Sequence, residues 1–152
     1  MKHKLRKAVT NCNTLEEVLN EVVRVFKDIK ETSERIGFVS GIVTSDGPIH
    51  IQRNLLRLEN FTQTLSQKTN FPLFSARCVF TDELYRVLDE GGAKNDDYLA
   101  FWDKLLRSGY VTDVFMTPRW EKSMGATKEN KLANSLALKI HYVEEMVLVE
   151  QG

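Results

Sequence analysis

The sequence predicts an α/β fold, in which a mostly parallel sheet is covered by helices on both faces and an extra helix precedes the first strand. Short apolar runs rich in β-branched residues alternate along the chain with longer segments whose apolar residues recur at helical spacing. The chain has 152 residues, a length that suits one domain with a core of its own.

The first predicted element is an amphipathic helix that begins at Thr14. Thr14 and Glu17 have the spacing of a capping box, in which the threonine accepts a hydrogen bond from the third amide and the glutamate reaches back. Both charge signs occur on the polar face, which favours a core or dimer contact over a membrane surface. Residues 1–13 are predicted to be a loose basic start, and residues 1–35 are interpreted as an N-terminal extension. The apolar positions are Leu15, Val18, Leu19, Val22, Phe26 and Ile29.

Residues 36–152 are predicted to form the α/β domain itself. Short apolar runs bounded by turn residues predict strands at 36–44, 71–80, 111–117 and 140–143. Helical spacing predicts helices from 51 to about 68, from 81 to 90, from 95 to 108 and from 125 to 138. The weak alternation of residues 144–152 suggests a further edge strand.

Composition excludes several classes of function. The chain has 21 Lys and Arg residues and 21 Asp and Glu residues, so its formal net charge is zero. A neutral chain has no overall electrostatic attraction to a nucleic-acid duplex or a membrane. The two cysteines make no disulfide framework, and the three histidines lack metal-ligand spacing, so we expect no metal and no cofactor. No apolar stretch approaches the length of a membrane span, and the basic start lacks a signal-peptide core. We therefore expect a cytoplasmic protein.

The segment Trp-Glu-Lys-Ser-Met-Gly-Ala-Thr-Lys-Glu, residues 120–129, is the main candidate site. It follows a predicted strand, and ligands of parallel sheets bind beyond the carboxyl ends of the strands. Ser123 and Gly125 lie where a helix begins, so free amides there favour an anion, and glycine allows a close approach. Glu129 follows in the first turn or so, where the helix dipole keeps a carboxylate ionised. Such a carboxylate suits attack on a sugar carbon, although composition alone favours a glutamate that merely complements the dipole.

For each of the other candidate residues, a purely structural role is an alternative to a functional one. Helical spacing places Asp103 near apolar positions of its helix, where a half-buried carboxylate holds or donates a proton. Alternatively, Asp103 is a solvated aspartate on a charged helix. Ser40 and Gly41 end the first predicted strand and either admit a ligand or only pack. Trp120 either stacks on a base or packs against the fold.

Three segments, spread over residues 36–143, resemble the nucleoside 2-deoxyribosyltransferase superfamily. Phe38-Val39-Ser40-Gly41 resembles its opening strand, which commonly reads aromatic-x-Ser/Ala-Gly. Asp103 and the strand at 111–116 are similar to the family's helix aspartate and the strand after it. Residues 120–129 are similar to the segment whose glutamate is the nucleophile, since Ser, Gly and Glu fall at the family spacing. The likeness is greatest to small uncharacterised branches and to the deoxynucleoside 5'-monophosphate N-glycosidases.

The resemblance implies a flavodoxin- or Rossmann-like fold and cleavage or transfer at the N-glycosidic bond of a nucleoside or nucleoside 5'-monophosphate. It assigns the nucleophile to Glu129 and a sugar-holding or proton-donating role to Asp103. Ser123 stands where the transferases commonly have an aspartate and where the monophosphate N-glycosidases have a phosphate-binding serine. Phe38 stands where many relatives have a tyrosine whose hydroxyl orients the nucleophile. The substrate contacts it implies are Phe38, Ser40, Gly41, Trp120, Ser123 and Gly125.

The resemblance also implies a homodimer or a higher homo-oligomer, because relatives commonly assemble in this way. Two alternatives to an enzyme stay open. A non-catalytic nucleotide-binding or sensing domain would keep the fold and the cavity without productive carboxylate geometry. A structural or assembly module would need no such cavity and would bury the first helix between subunits.

Overall fold

The computed structural model describes residues 1–144 and holds a four-stranded sheet in which every neighbouring pair is parallel. The strand order is β2-β1-β3-β4, which is Rossmann-like, so the predicted fold class is confirmed. The chain leaves β1 towards one edge of the sheet and returns to β3 on the other side, which makes the gap between β1 and β3 the topological switch point. The strands are β1 Gly37–Ser40, β2 Leu73–Phe74, β3 Asp113–Met116 and β4 Lys139–Tyr142.

Helices cover both faces of this sheet. Side chains alternate between the faces along each strand, so Phe38 joins the larger core while Val39 joins the smaller one beneath α3. The other helices cover the larger core. No helix within residues 1–144 is both long and apolar enough to cross a membrane. The helices are α1 Lys2–Val9, α2 Leu15–Ile29, α3 Ile51–Ser66, α4 Ala76–Val79, α5 Asp82–Glu90, α6 Asn95–Arg107 and α7 Met124–Ser135, with short 3₁₀ turns at Pro48–His50 and Trp120–Lys122.

The N-terminal residues form part of the larger core. The prediction of a loose start over residues 1–13 is wrong, because α1 forms there and buries Leu5 and Val9. The helix predicted from Thr14 is confirmed, and the Thr14 hydroxyl accepts a hydrogen bond from the Glu17 amide at 3.2 Å. The ring of Phe26 lies 4.9 Å from that of Phe74 in β2. Residues 1–35 therefore supply a layer that packs directly on the sheet.

The strand predicted at 71–80 is wrong over most of its length. β2 spans only Leu73–Phe74, after which Ser75 begins α4. Pro72 has no amide to donate to a ladder, and the Ser75 amide donates instead to the sulfur of Cys78 at 3.4 Å. The strand predicted at 36–44 ends at Ser40, and α6 takes Lys94 rather than Asn95 as its N-cap. The edge strand predicted at 144–152 falls almost wholly outside the described residues.

Candidate functional site

A cavity of about 860 Å³ opens beyond the carboxyl ends of β1 and β3. Its walls come from the loop after β1, from α3, α5 and α6, and from the start of α7. Four of the predicted site residues line it, namely Gly41, Ser123, Gly125 and Glu129. The cavity therefore lies at the switch point, where ligands of open parallel sheets bind.

Glu129 is the most unusual group in this cavity. Its Oε1 accepts a hydrogen bond from the Ser40 hydroxyl at 3.1 Å, while its Oε2 is shielded from solvent and lacks a hydrogen-bond partner within the described residues. Burial raises the pKa of the Glu129 carboxyl to about 8, and the Ser40 hydrogen bond only partly opposes this. The structure does not support the predicted ionised carboxylate, because Glu129 lies beyond the first turn of α7 and burial favours the protonated form.

Ser40 is held firmly beneath this carboxyl. It is 1% exposed, and its carbonyl accepts hydrogen bonds from the Thr117 amide at 3.0 Å and the Thr117 hydroxyl at 2.8 Å. Ser40 does not itself line the cavity, so it contacts a ligand only through Glu129. Phe38 is buried in the larger core and stacks on Trp102 at 5.0 Å, and it is also outside the cavity lining. The hydroxyl that bonds to the Glu129 carboxyl is therefore that of Ser40.

Gly41 lines the cavity, and close packing requires a glycine there. A Cβ at this position would lie 2.1 Å from Thr117 Oγ1 and 2.8 Å from Leu58 Cδ2. Both distances are shorter than van der Waals contact allows, so any side chain would push β1 away from its neighbours. The packing interpretation of Gly41 therefore accounts for the residue without a ligand.

The start of α7 is largely capped by the protein itself. Ser123 is the N-cap, and its hydroxyl accepts a hydrogen bond from the Ala126 amide at 3.1 Å. The Met124 amide donates to the Ser45 hydroxyl at 3.0 Å. Two of the amides that the sequence offered to an anion are therefore already bonded to side chains.

The structure does not bring Asp103 to Glu129. The Asp103 carboxylate accepts a hydrogen bond from Arg107 Nε at 2.9 Å, its side chain is 49% exposed, and it is absent from the cavity lining. The residue before it, Trp102, lines the cavity, and one step along a helix turns a side chain by about 100°. The role predicted for Asp103 thus finds no support in the position of its side chain, and the solvated interpretation fits.

Trp120 also lies away from the cavity. Its ring is partly buried on the larger core, 6.0 Å from that of Tyr142. The tryptophan that lines the cavity is Trp102, joined by Tyr98 one turn earlier on α6 and by Tyr85 on α5. The (i, i+4) spacing of Tyr98 and Trp102 indicates that both lie on one face of a helix, and this could have predicted the aromatic wall. Such spacing, however, usually indicates a helix face that packs in the core.

Acidic residues of α5 complete the wall that sequence reasoning missed. The Asp89 carboxylate accepts a hydrogen bond from the Tyr98 hydroxyl at 2.7 Å. Asp82 accepts one from Arg77 at 2.7 Å and another from Gln52 at 3.3 Å, and the Arg77 hydrogen bond holds the pKa of Asp82 below its usual value. Asp82, Tyr85 and Asp89 lie on one face of α5, since they are separated by three and four residues.

The fold and the cavity together define a Rossmann-like α/β domain with a half-buried glutamate, its Oε2 shielded from solvent, beyond the carboxyl ends of the strands. Comparison of the chain with models of known families, with curated proteins and with solved structures gave no match in any of the three.

The buried carboxyl of Glu129 makes stability depend on pH. In the unfolded chain this group loses its proton near pH 4.5, whereas in the folded protein it keeps the proton until about pH 8. The stability it contributes is therefore full below pH 4.5 and is lost as pH rises to about 8. We expect Glu129→Gln to exceed the wild type in unfolding free energy at pH 9 by on the order of 2–4 kcal/mol, and by much less at pH 5.

Urea unfolding at the two pH values measures this difference. Glu121→Gln, at an exposed position outside the cavity, is the matched control and should shift neither value. An equal gain for Glu129→Gln at pH 5 and pH 9 would show that the carboxyl does not titrate as described.

Proposed function

We propose that this protein cleaves or transfers the N-glycosidic bond of a nucleoside or nucleotide, with Glu129 as the nucleophile. The observation that carries the proposal is the Glu129 carboxyl: Glu129 lines a cavity of nucleoside size, and its Oε2 has no hydrogen-bond partner within residues 1–144. The resemblance to the nucleoside 2-deoxyribosyltransferase superfamily supports the same residue. Aromatic side chains along one wall suit a planar base.

In this mechanism the Glu129 carboxylate attacks the anomeric carbon, the base departs, and a glycosyl ester of Glu129 forms. Water or a second base then releases the sugar. Only the ionised carboxylate is nucleophilic, so we expect kcat/KM to rise with pH up to about 8, where the buried carboxyl titrates. The hydrogen bond from Ser40 orients the carboxyl through Oε1, and Oε2 has no hydrogen-bond partner within residues 1–144.

Ser40 acts in this mechanism as a positioning residue. We expect Ser40→Ala to lower kcat about 10-fold with little change in KM, because the carboxyl loses the contact that orients it. The same variant should move the rising limb of the pH profile to higher pH, since the lost hydrogen bond favours the ionised form. Ser66→Ala, at the exposed end of α3, is the control. A lower kcat with an unshifted pH profile would mean that Ser40 serves only folding.

Incubation of the purified protein with a panel of nucleosides, 2'-deoxynucleosides and their 5'-monophosphates tests the proposal. Free base is followed by chromatography, and a second base added as acceptor distinguishes transfer from hydrolysis. Release of base from at least one substrate supports the enzyme. Binding without release from any substrate would instead favour the non-catalytic nucleotide-binding domain.

A further inference from the structure

The cavity wall carries carboxyl groups and little free positive charge. Asp82 pairs with Arg77, burial favours the protonated form of Glu129, and Asp89 has no ion pair within residues 1–144. Among the described lining residues Arg86 is the only one with a basic side chain, and its guanidinium lies between two carboxylates of its own helix, Glu83 and Glu90. A phosphate group in the cavity would therefore find no unpaired basic side chain among the described lining residues.

The same wall carries aromatic rings and a carboxylate, groups that attract a cation. Tyr85 and Tyr98 line it, with ring centroids 5.6 Å apart at a steep angle of 61°, and Trp102 continues it along α6. The Asp89 carboxylate beside them is hydrogen-bonded by a neutral donor, the Tyr98 hydroxyl, at 2.7 Å. Aromatic rings and a carboxylate attract a flat cation by ring electrostatics and by charge.

A cationic aglycone also removes the need for a general acid. A neutral base must be protonated as it leaves, and Asp103, the residue expected to do this, lies outside the cavity. When the aglycone is already positive, the electron pair of the broken C1'–N bond neutralises its nitrogen, while the Glu129 carboxylate forms the new bond to C1'. Water then adds its hydroxyl to C1', the Glu129 carboxylate is regained, and one proton is released. No proton donor is needed for the first step.

We propose that the substrate is a nucleoside with a positively charged aglycone, such as an N-alkylated purine or a pyridinium, and without a 5'-phosphate. This proposal rests on the proposed function of Glu129 and narrows its substrate class. The positive charge would also stabilise the ionised form of Glu129, which burial disfavours.

Matched pairs of ligands separate charge from shape. Guanosine and 7-methylguanosine differ by one methyl group and one charge, N-ribosylnicotinamide is a pyridinium, and 7-methylguanosine 5'-monophosphate adds the phosphate. Binding is measured calorimetrically on Glu129→Gln, so that no turnover interferes, and base release is measured on the wild type relative to the uncatalysed rate. We expect 7-methylguanosine to bind about 10-fold or more tighter than guanosine and the monophosphate to bind more weakly than 7-methylguanosine.

Asp89→Asn, made in the wild type and in Glu129→Gln, should lower the preference for 7-methylguanosine over guanosine about 10-fold. Asp96→Asn, in the exposed first turn of α6 and outside the cavity lining, should preserve it. Equal binding and turnover of guanosine and 7-methylguanosine, or tighter binding of the monophosphate, would overturn the cationic substrate while the glycosidase stands. Absence of base release from every ligand, including the two cations, would overturn the proposed function itself.

Discussion

Glu129→Gln is expected to reduce base release by at least about 1000-fold, because the amide cannot attack the anomeric carbon. Glutamine keeps the shape of the side chain and can still accept the hydrogen bond from Ser40, so the substitution removes the nucleophile without emptying the cavity wall. Single-turnover release of base from the best substrate of the panel, followed by chromatography, measures the loss. Wild-type protein at the same pH is the reference.

Glu121→Gln is again the matched control, since it changes the same group on the exposed turn before α7. It should retain wild-type activity. Thermal unfolding of Glu129→Gln near pH 5 should match the wild type, which excludes misfolding as the cause of lost activity. Retention of more than about a tenth of the wild-type rate by Glu129→Gln would mean that another group forms or breaks the glycosidic bond.

Phe26→Ala carries the second large expected effect, a loss of about 3–5 kcal/mol in unfolding free energy. The Phe26 side chain is 0% exposed and packs on Phe74 of β2, so its removal leaves a cavity between α2 and the sheet. The loss should appear as a lower urea midpoint with an unchanged slope.

Leu56→Ala is a suitable control, because Leu56 is 57% exposed on α3 and its truncation should change stability by no more than about 0.5 kcal/mol. A loss below about 1 kcal/mol for Phe26→Ala would show that residues 1–35 are an appendage. Such a result would contradict the packing of α2 on the sheet.

Local sequence patterns predicted the helices well where capping and periodicity agreed. Thr14 with Glu17, and Thr81 before α5, each place a hydroxyl oxygen where it accepts a helix amide, and both caps form. The short basic α1 was missed because its buried face is only Leu5 and Val9, which is too little periodicity to recognise. The strand predicted at 71–80 failed because the apolar run that suggested a strand continues into the short helix α4.

The candidate site was predicted in part. Glu129 and Ser123 could be predicted because they lie in one segment that follows a strand. The order of residues along the chain is enough to show this. The structure does not place Asp103, the predicted partner of Glu129, in the cavity lining. Asp103 and Trp102 differ by one position, and only the rotation of α6 decides which of them lines the cavity. Tyr85 and Asp89 come from another helix, and nothing in their local spacing says that α5 packs beside α7.

Short-range periodicity and capping are enough to predict the α/β class, the parallel sheet and the position of Glu129 near the start of a helix after a strand. The tertiary structure sets the protonation of Glu129, since burial is a property of everything packed around the carboxyl. It also decided that Ser40, 89 residues away in sequence, donates the hydrogen bond to that carboxyl. Contacts of that range form when β1 and α7 meet at the switch point of the sheet.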